Sequence, residues 1–172
     1  MLVMAPKLWL SKPATLTLAF FYFDNEVFMQ HLTIPTATLQ ALLSHQQIAT
    51  LDNTNQLIEL EQSSLEKLRS RQLKENYQQF LNGYDRLFRH VSILLLEHGY
   101  ALTDLKPHQT LRKICQQWQA DVAINQMINE RHRLKKSQQT YLSINNQAID
   151  CLHHLLNLFD EQDAAQMKAI FP

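Results

Sequence analysis

The sequence predicts a mainly α protein, an up-and-down helical bundle with a small N-terminal β-hairpin. Three observations carry this. Apolar residues from Tyr77 to Leu95 recur at helical spacing over a stretch long enough for a central helix. The 172 residues include only two glycines, Gly83 and Gly99. That is too few for a barrel or sandwich with many tight turns, and too few for a glycine loop that cradles phosphate. Hydrophobic residues make up 45% of the chain, which excludes disorder, and the abundance of leucine and glutamine suits helices.

Residues 1 to 13 contain two prolines and no periodicity, so they read as loosely structured. From Thr15 to Tyr22 the pattern alternates, with Leu16, Leu18, Phe20 and Tyr22 on one face. Asp24-Asn25 is a turn signal and Val27 to Ile34 a second β-prone run, which together predict a hairpin over about 15–34. Pro35 ends it. Thr36 or Thr38 is placed to cap a short helix carrying Leu39, Leu42 and Leu43. Asp52 to Asn55 reads as a break, and a helical pattern resumes with Leu57, Ile58 and Leu60. Ser63-Ser64-Leu65-Glu66 has the form of a capping box, which predicts a helix start at that point. The reading divides the chain into an N-terminal segment, 1–55, and a helical part, 56–172.

In the central helix Tyr77, Phe80, Tyr84, Leu87, Val91 and Leu94 form one stripe, flanked by Leu81, Phe88 and Leu95. Gln78, Gln79, Asp85, Arg86, Arg89 and Ser92 fall opposite and are expected to face water. Gly99 follows where a left-handed C-terminal cap favours glycine. A loop to Lys106 leads to Pro107 at a first helical position, opening a helix with Leu111, Ile114, Cys115 and Trp118. Asp121 is placed to cap another helix, holding Val122, Ile124, Met127 and Ile128. A polar run from Glu130 to Thr140 follows. Ser143 is placed to cap a last helix with Ile149, Leu152, Leu155, Leu156 and Phe159, and Asp160 to Asp163 reads as a break before a short tail.

Sixteen basic and sixteen acidic side chains cancel, so any nucleic-acid surface must be a local patch. Cys115 and Cys151 stand apart among apolar neighbours, which predicts buried reduced thiols and a cytoplasmic setting. Lys7 and Lys12 precede the apolar run Ala14 to Phe23, but no small-residue cleavage site follows it. The run is also too short to span a bilayer, so no membrane is expected.

Several phrases share an order with a known family. They are Gly83-Tyr84-Asp85-Arg86 and Leu94-Leu95-Leu96-Glu97-His98-Gly99-Tyr100 on and after the long helix. His108-Gln109-Thr110-Leu111 starts the next helix, and Glu130-Arg131-His132-Arg133 and Tyr141 precede the last. Over roughly residues 60 to 160 the chain resembles the HEPN family of small prokaryotic helical bundles. The resemblance implies a compact bundle and a homodimer. It also implies roles around RNA or nucleotides in stress, defence or toxin–antitoxin systems. The ribonuclease branch of that family carries an arginine, then four to six residues, then a histidine. Here those positions after Arg131 and Arg133 hold Lys136, Ser137, Gln138, Gln139 and Thr140. Metal-independent RNA cleavage needs a group to move the 2′-hydroxyl proton, and histidine does so best near neutral pH. Binding without catalysis is therefore expected, and no catalytic residue is assigned.

Arg131, His132, Arg133, Lys135 and Lys136 form the densest cationic cluster and are the candidate phosphate ligands. The competing reading is a solvated helix end, where cations complement the helix dipole. Tyr141 is placed to stack on a base or to close the core. Arg86 and His90, four apart on the long helix, would form a composite site if the fold brought them beside Arg131. His108, just inside a helix start, reads as a capping or positioning residue. Among the eight histidines, His153 and His154 are consecutive and point about 100° apart on a helix. No His-Glu-x-x-His or Cys-x-x-Cys exists, so no metal and no cofactor are expected. The alternative function is that of a non-catalytic assembly subunit, docking a protein partner through the aromatic hairpin residues Phe20, Phe21, Tyr22, Phe23 and Phe28.

Overall fold

The structure, a computed structural model, describes residues 32–137 and 143–170. Among these the protein is mainly helical, with six helices and one two-stranded antiparallel sheet. The hairpin over about 15–34 falls almost wholly outside the described residues, as do Tyr141 and the aromatic residues Phe20 to Phe28. Its described end, Leu32 to Ile34, is not a strand, although Leu32 and Ile34 are buried.

Helix α1 spans Thr36–Ser44 and strand β1 Ile48–Thr50. Helix α2 spans Asn55–Arg69 and α3 Asn76–Glu97. Strand β2 spans Tyr100–Leu102, and helices α4, α5 and α6 span Pro107–Cys115, Asp121–Lys136 and Asn146–Ile170. The core forms around α3, which packs against α2, α5 and α6. Phe80, Tyr84, Leu87, Val91, Leu94 and Leu95 are buried along the expected stripe. Gly83 faces α6. A Cβ built there would stand 3.1 Å from Leu152 Cδ2.

The expectation that the opposite face of α3 meets water is corrected at Ser92, which is buried and donates its Oγ–H to Phe88 O at 2.9 Å. Because α2 lies along α3, Arg86 and Arg89 are only partly exposed. The capping-box reading of Ser63 also fails. Helix α2 starts earlier, at Asn55, and Ser64 instead donates to Leu60 O within the helix. Eight residues of helix therefore precede the box, and the apolar Leu57 and Ile58 belong to the same helix. Asp160 to Asp163 is no break either, because α6 continues to Ile170 and turns both carboxylates toward Arg69. Likewise the polar run after Glu130 remains helical to Lys136.

Caps differ from expectation in two places. Asp121 is the first residue of α5 and makes no cap. Its carboxylate pairs with Arg112 and accepts from Gln116. At α6 the capping role falls to Asn145, whose Oδ1 accepts from Gln147 N–H at 2.8 Å, rather than to Ser143. Gly99 holds φ +81°, as its position after α3 requires, and Pro107 opens α4. Cys115 and Cys151 are buried and free.

The sheet is absent from the sequence reading. Ala49 pairs with Ala101, flanked by Ile48 with Leu102 and Thr50 with Tyr100. Two strands of three residues are too short to show an alternating period. The pairing brings the start of α2 and the end of α3 together, and leaves the turn between these helices at the other end.

Candidate phosphate-binding cleft

The expected apolar stripe carries two polar-tipped residues, Tyr77, which is partly exposed, and Tyr84. The Tyr84 ring is fully buried, so its hydroxyl needs a partner. His108 at the start of α4 supplies one, with Nδ1 2.9 Å from the hydroxyl oxygen. Burial pushes the Tyr84 phenol well above its ordinary value, so it keeps its proton. His108 is pushed down to about 4, first by burial and then by the Arg131 guanidinium and the neighbouring His132 ring. Two neutral groups therefore share this bond. If the tyrosine donates, the histidine proton stays on Nε2.

Helix α5 closes the group. Arg131 lays its guanidinium over the Tyr84 ring, 4.9 Å from the centroid. Its Nε is buried and has no hydrogen-bond partner among the described residues. His132 meets the His108 ring edge-on at 5.1 Å, and Phe88 meets His108 at 6.0 Å. Above this group lies a cleft of about 500 Å³ between α2, α3, α4 and α5. Lys67 and Arg71 line it from the α2 side, Arg89 from α3, and Arg131 with Lys135 from α5, one turn apart on one face. Asp85 is the single carboxylate in the lining. Arg89 is committed to Glu61, at 2.8 and 2.9 Å. Among the described residues Lys67, Arg71, Arg131 and Lys135 form no ion pair. A neutral chain thus concentrates positive charge at one concavity, where low-dielectric walls strengthen its pull on an anion.

The sequence-predicted residues separate into three groups. Arg131, His132 and Lys135 belong to the cleft or its floor. Arg133 and Lys136 do not line it. Lys136 is exposed at the end of α5, while Arg133 turns away and donates to both Glu130 oxygens (2.9 and 2.6 Å) and to Ser143 O (2.7 Å). Glu130 is buried and also accepts from Asn145 N–H at 3.1 Å, so this knot joins the end of α5 to the start of α6. Arg86 and His90 lie elsewhere. Arg86 lines a neighbouring cavity and reaches Asp160 at 3.4 Å, and His90 stacks on Phe159 at 4.8 Å. Neither Arg86 nor His90 lines the cleft that holds Arg131.

Sequence reasoning passed over Tyr84 and gave His108 only a positioning role. A tyrosine on an apolar stripe is the available signal, since its hydroxyl must be satisfied once buried. Which histidine satisfies it depends on packing between helices, and spacing along the chain does not contain that.

Arg133→Ala is expected to lower the melting temperature by several degrees while leaving anion binding in the cleft intact. The loss is structural, because a buried carboxylate loses its cation. Thermal melts and phosphate-analogue titrations of the same variant check both halves.

Acid is expected to destabilise the fold in a defined window. His90 and His108 are both held down to about 4, in each case chiefly by burial, against an ordinary value near 6.5. Below pH ~6.5 the unfolded chain binds protons that the folded chain refuses, so stability falls as pH drops from ~6.5 toward ~4. Glu130, held below the carboxylate range by Arg133, adds a further loss once it is forced to protonate at lower pH. Urea midpoints across pH should show this, with a shallower slope in His108→Gln.

No family model matches the chain, nor does any curated protein or solved structure. Among the described residues no helix is long and apolar enough to cross a membrane.

Proposed function

We propose that this chain is a HEPN-like, up-and-down helical bundle whose cleft over Tyr84 binds the phosphate backbone of RNA or the phosphate of a nucleotide, without catalysing its cleavage. A homodimeric, cytoplasmic module of a prokaryotic stress, defence or toxin–antitoxin system goes with the same resemblance. The observation that supports the reading is the state of Arg131. Stacking on Tyr84 orients the guanidinium yet uses none of its N–H donors, and among the described residues it forms no ion pair. Such a fork suits bidentate contact with a phosphate, and Lys67, Arg71 and Lys135 add charge around the mouth. His108, neutral near pH 7, adds a hydrogen-bonding edge without adding charge.

The test is fluorescence anisotropy of a labelled, mixed-sequence single-stranded RNA at low and moderate salt. Wild type is compared with Lys67→Glu/Lys135→Glu, both exposed positions. Binding should weaken with salt and in the charge-reversed variant. Absence of binding by the wild type at low salt sinks the reading. Cleavage products that disappear in His108→Gln would replace it with a catalytic one.

A further inference from the structure

On the other flank of α3, the ring of His90 faces two carboxylates of α6. Asp160 and Asp163 stand three residues apart and so share a helix face. One ligand atom from each of the three residues lies within 4.8 Å of the other two. We propose that His90, Asp160 and Asp163 bind a divalent transition-metal ion of the zinc class, and that Arg69 fills the position with its guanidinium when no ion is bound.

The ion pairs alone do not account for the site. Arg69 Nη2 lies 3.0 Å from Asp160 Oδ1 and 2.8 Å from Asp163 Oδ2, so a single nitrogen already sits where a cation would be shared. That explains the carboxylates and leaves the histidine unexplained. His90 is only 4% exposed, and its Nε2 has no hydrogen-bond partner among the described residues. A phenylalanine would stack on Phe159 as well without burying an unsatisfied nitrogen. A ring nitrogen held in place by that stack, together with two carboxylates, is a donor set of one nitrogen and two oxygens. Imidazole with carboxylate favours zinc and its neighbours over magnesium or calcium.

Metal–oxygen and metal–nitrogen bonds of about 2.0–2.2 Å require the three groups to draw together. The two aspartates can do so, since their side chains are 45% and 44% exposed. Arg69 has somewhere to go, because Glu66 on its own helix already accepts from Nη1 at 2.9 Å. Arg86 remains on Asp160 and offsets part of the negative charge. The ligands come from two helices far apart in sequence, which is why no spacing motif announces them.

The experiment uses the full chain, with zinc titrated by calorimetry and cobalt followed by its visible absorption. One ion per chain should bind, and His90→Phe and Asp163→Asn should each weaken binding by about tenfold or more. Asp163 is half-exposed, so its variant tests the proposal even where His90→Phe fails to fold. Arg69→Ala should tighten binding, because the competing cation is gone. No binding by the wild type overturns the proposal, as does equal binding in Asp163→Asn, which would place the ion on other histidines. Unchanged affinity in Arg69→Ala would remove the arginine's part in it.

Discussion

Gly83→Leu is expected to destabilise the protein by about 3 kcal/mol, the upper part of the range for overpacked cores. The first added carbon would already stand 3.1 Å from Leu152 Cδ2 and 3.5 Å from Leu156 Cδ1. Three more carbons would press further on these two leucines of α6. The intrinsic preference of helices for leucine over glycine returns under about 1 kcal/mol, so packing decides the sign. Gly83→Ala is the control. Its single methyl needs Leu152 to yield by a few tenths of an ångström, and the gain in helix propensity offsets the crowding, so the net change should stay within about 1 kcal/mol. Combining Gly83→Leu with Leu152→Ala should cost less than the two changes summed, because the second opens the space that the first demands. Urea unfolding at constant m-value reads all three.

Arg131→Ala is expected to weaken RNA binding by about tenfold or more and to reduce the slope of log K against log salt by about 1, the signature of one lost phosphate contact. The residual affinity should come from Lys67, Arg71 and Lys135, so the effect should be uniform across RNA sequences. Tyr84→Phe offers a contrast. It keeps the ring beneath the guanidinium and removes only the bond to His108 Nδ1. Binding should persist there while stability falls by about 1 kcal/mol. If Arg131→Ala binds as the wild type does, the cleft is not the phosphate site, whatever the rest of the surface does.

Helix periodicity was the strongest guide to the architecture. Along the stripe Phe80, Tyr84, Leu87, Val91, Leu94 and Leu95 are buried and Tyr77, Leu81 and Phe88 partly so, and Gly99 adopts the left-handed conformation its place after α3 called for. Failures cluster where two local signals compete. Ser63 to Glu66 has the form of a helix start, yet Leu57 and Ile58 had already begun the helix. Asp160 to Asp163 looks like a solvated end, yet Arg69 from another helix holds both carboxylates inside α6. In the cleft, sequence alone pointed to Arg131, His132 and Lys135 as cations of one cluster. It could not separate them from Arg133, because the difference lies in a buried Glu130 one turn away that captures one guanidinium and not the other. His108 and Tyr84 meet only through the packing of α3 and α4, a relation with no trace in residue spacing.

The short strand pair has a mechanical consequence. β1 and β2 clamp one end of the α2–α3 pair, and the ion pairs of Arg69 with Asp160 and Asp163 tie the other end, just before the turn, to α6. Two side-chain amides brace this end. Asn82 Nδ2 donates to Leu68 O and Gln79 Nε2 to Leu73 O, each at 3.1 Å. Arg71 rides on the turn between them and lines the cleft. Arg71 therefore reaches the cleft from a turn anchored on both sides, by these two amides and by the Arg69 ion pairs.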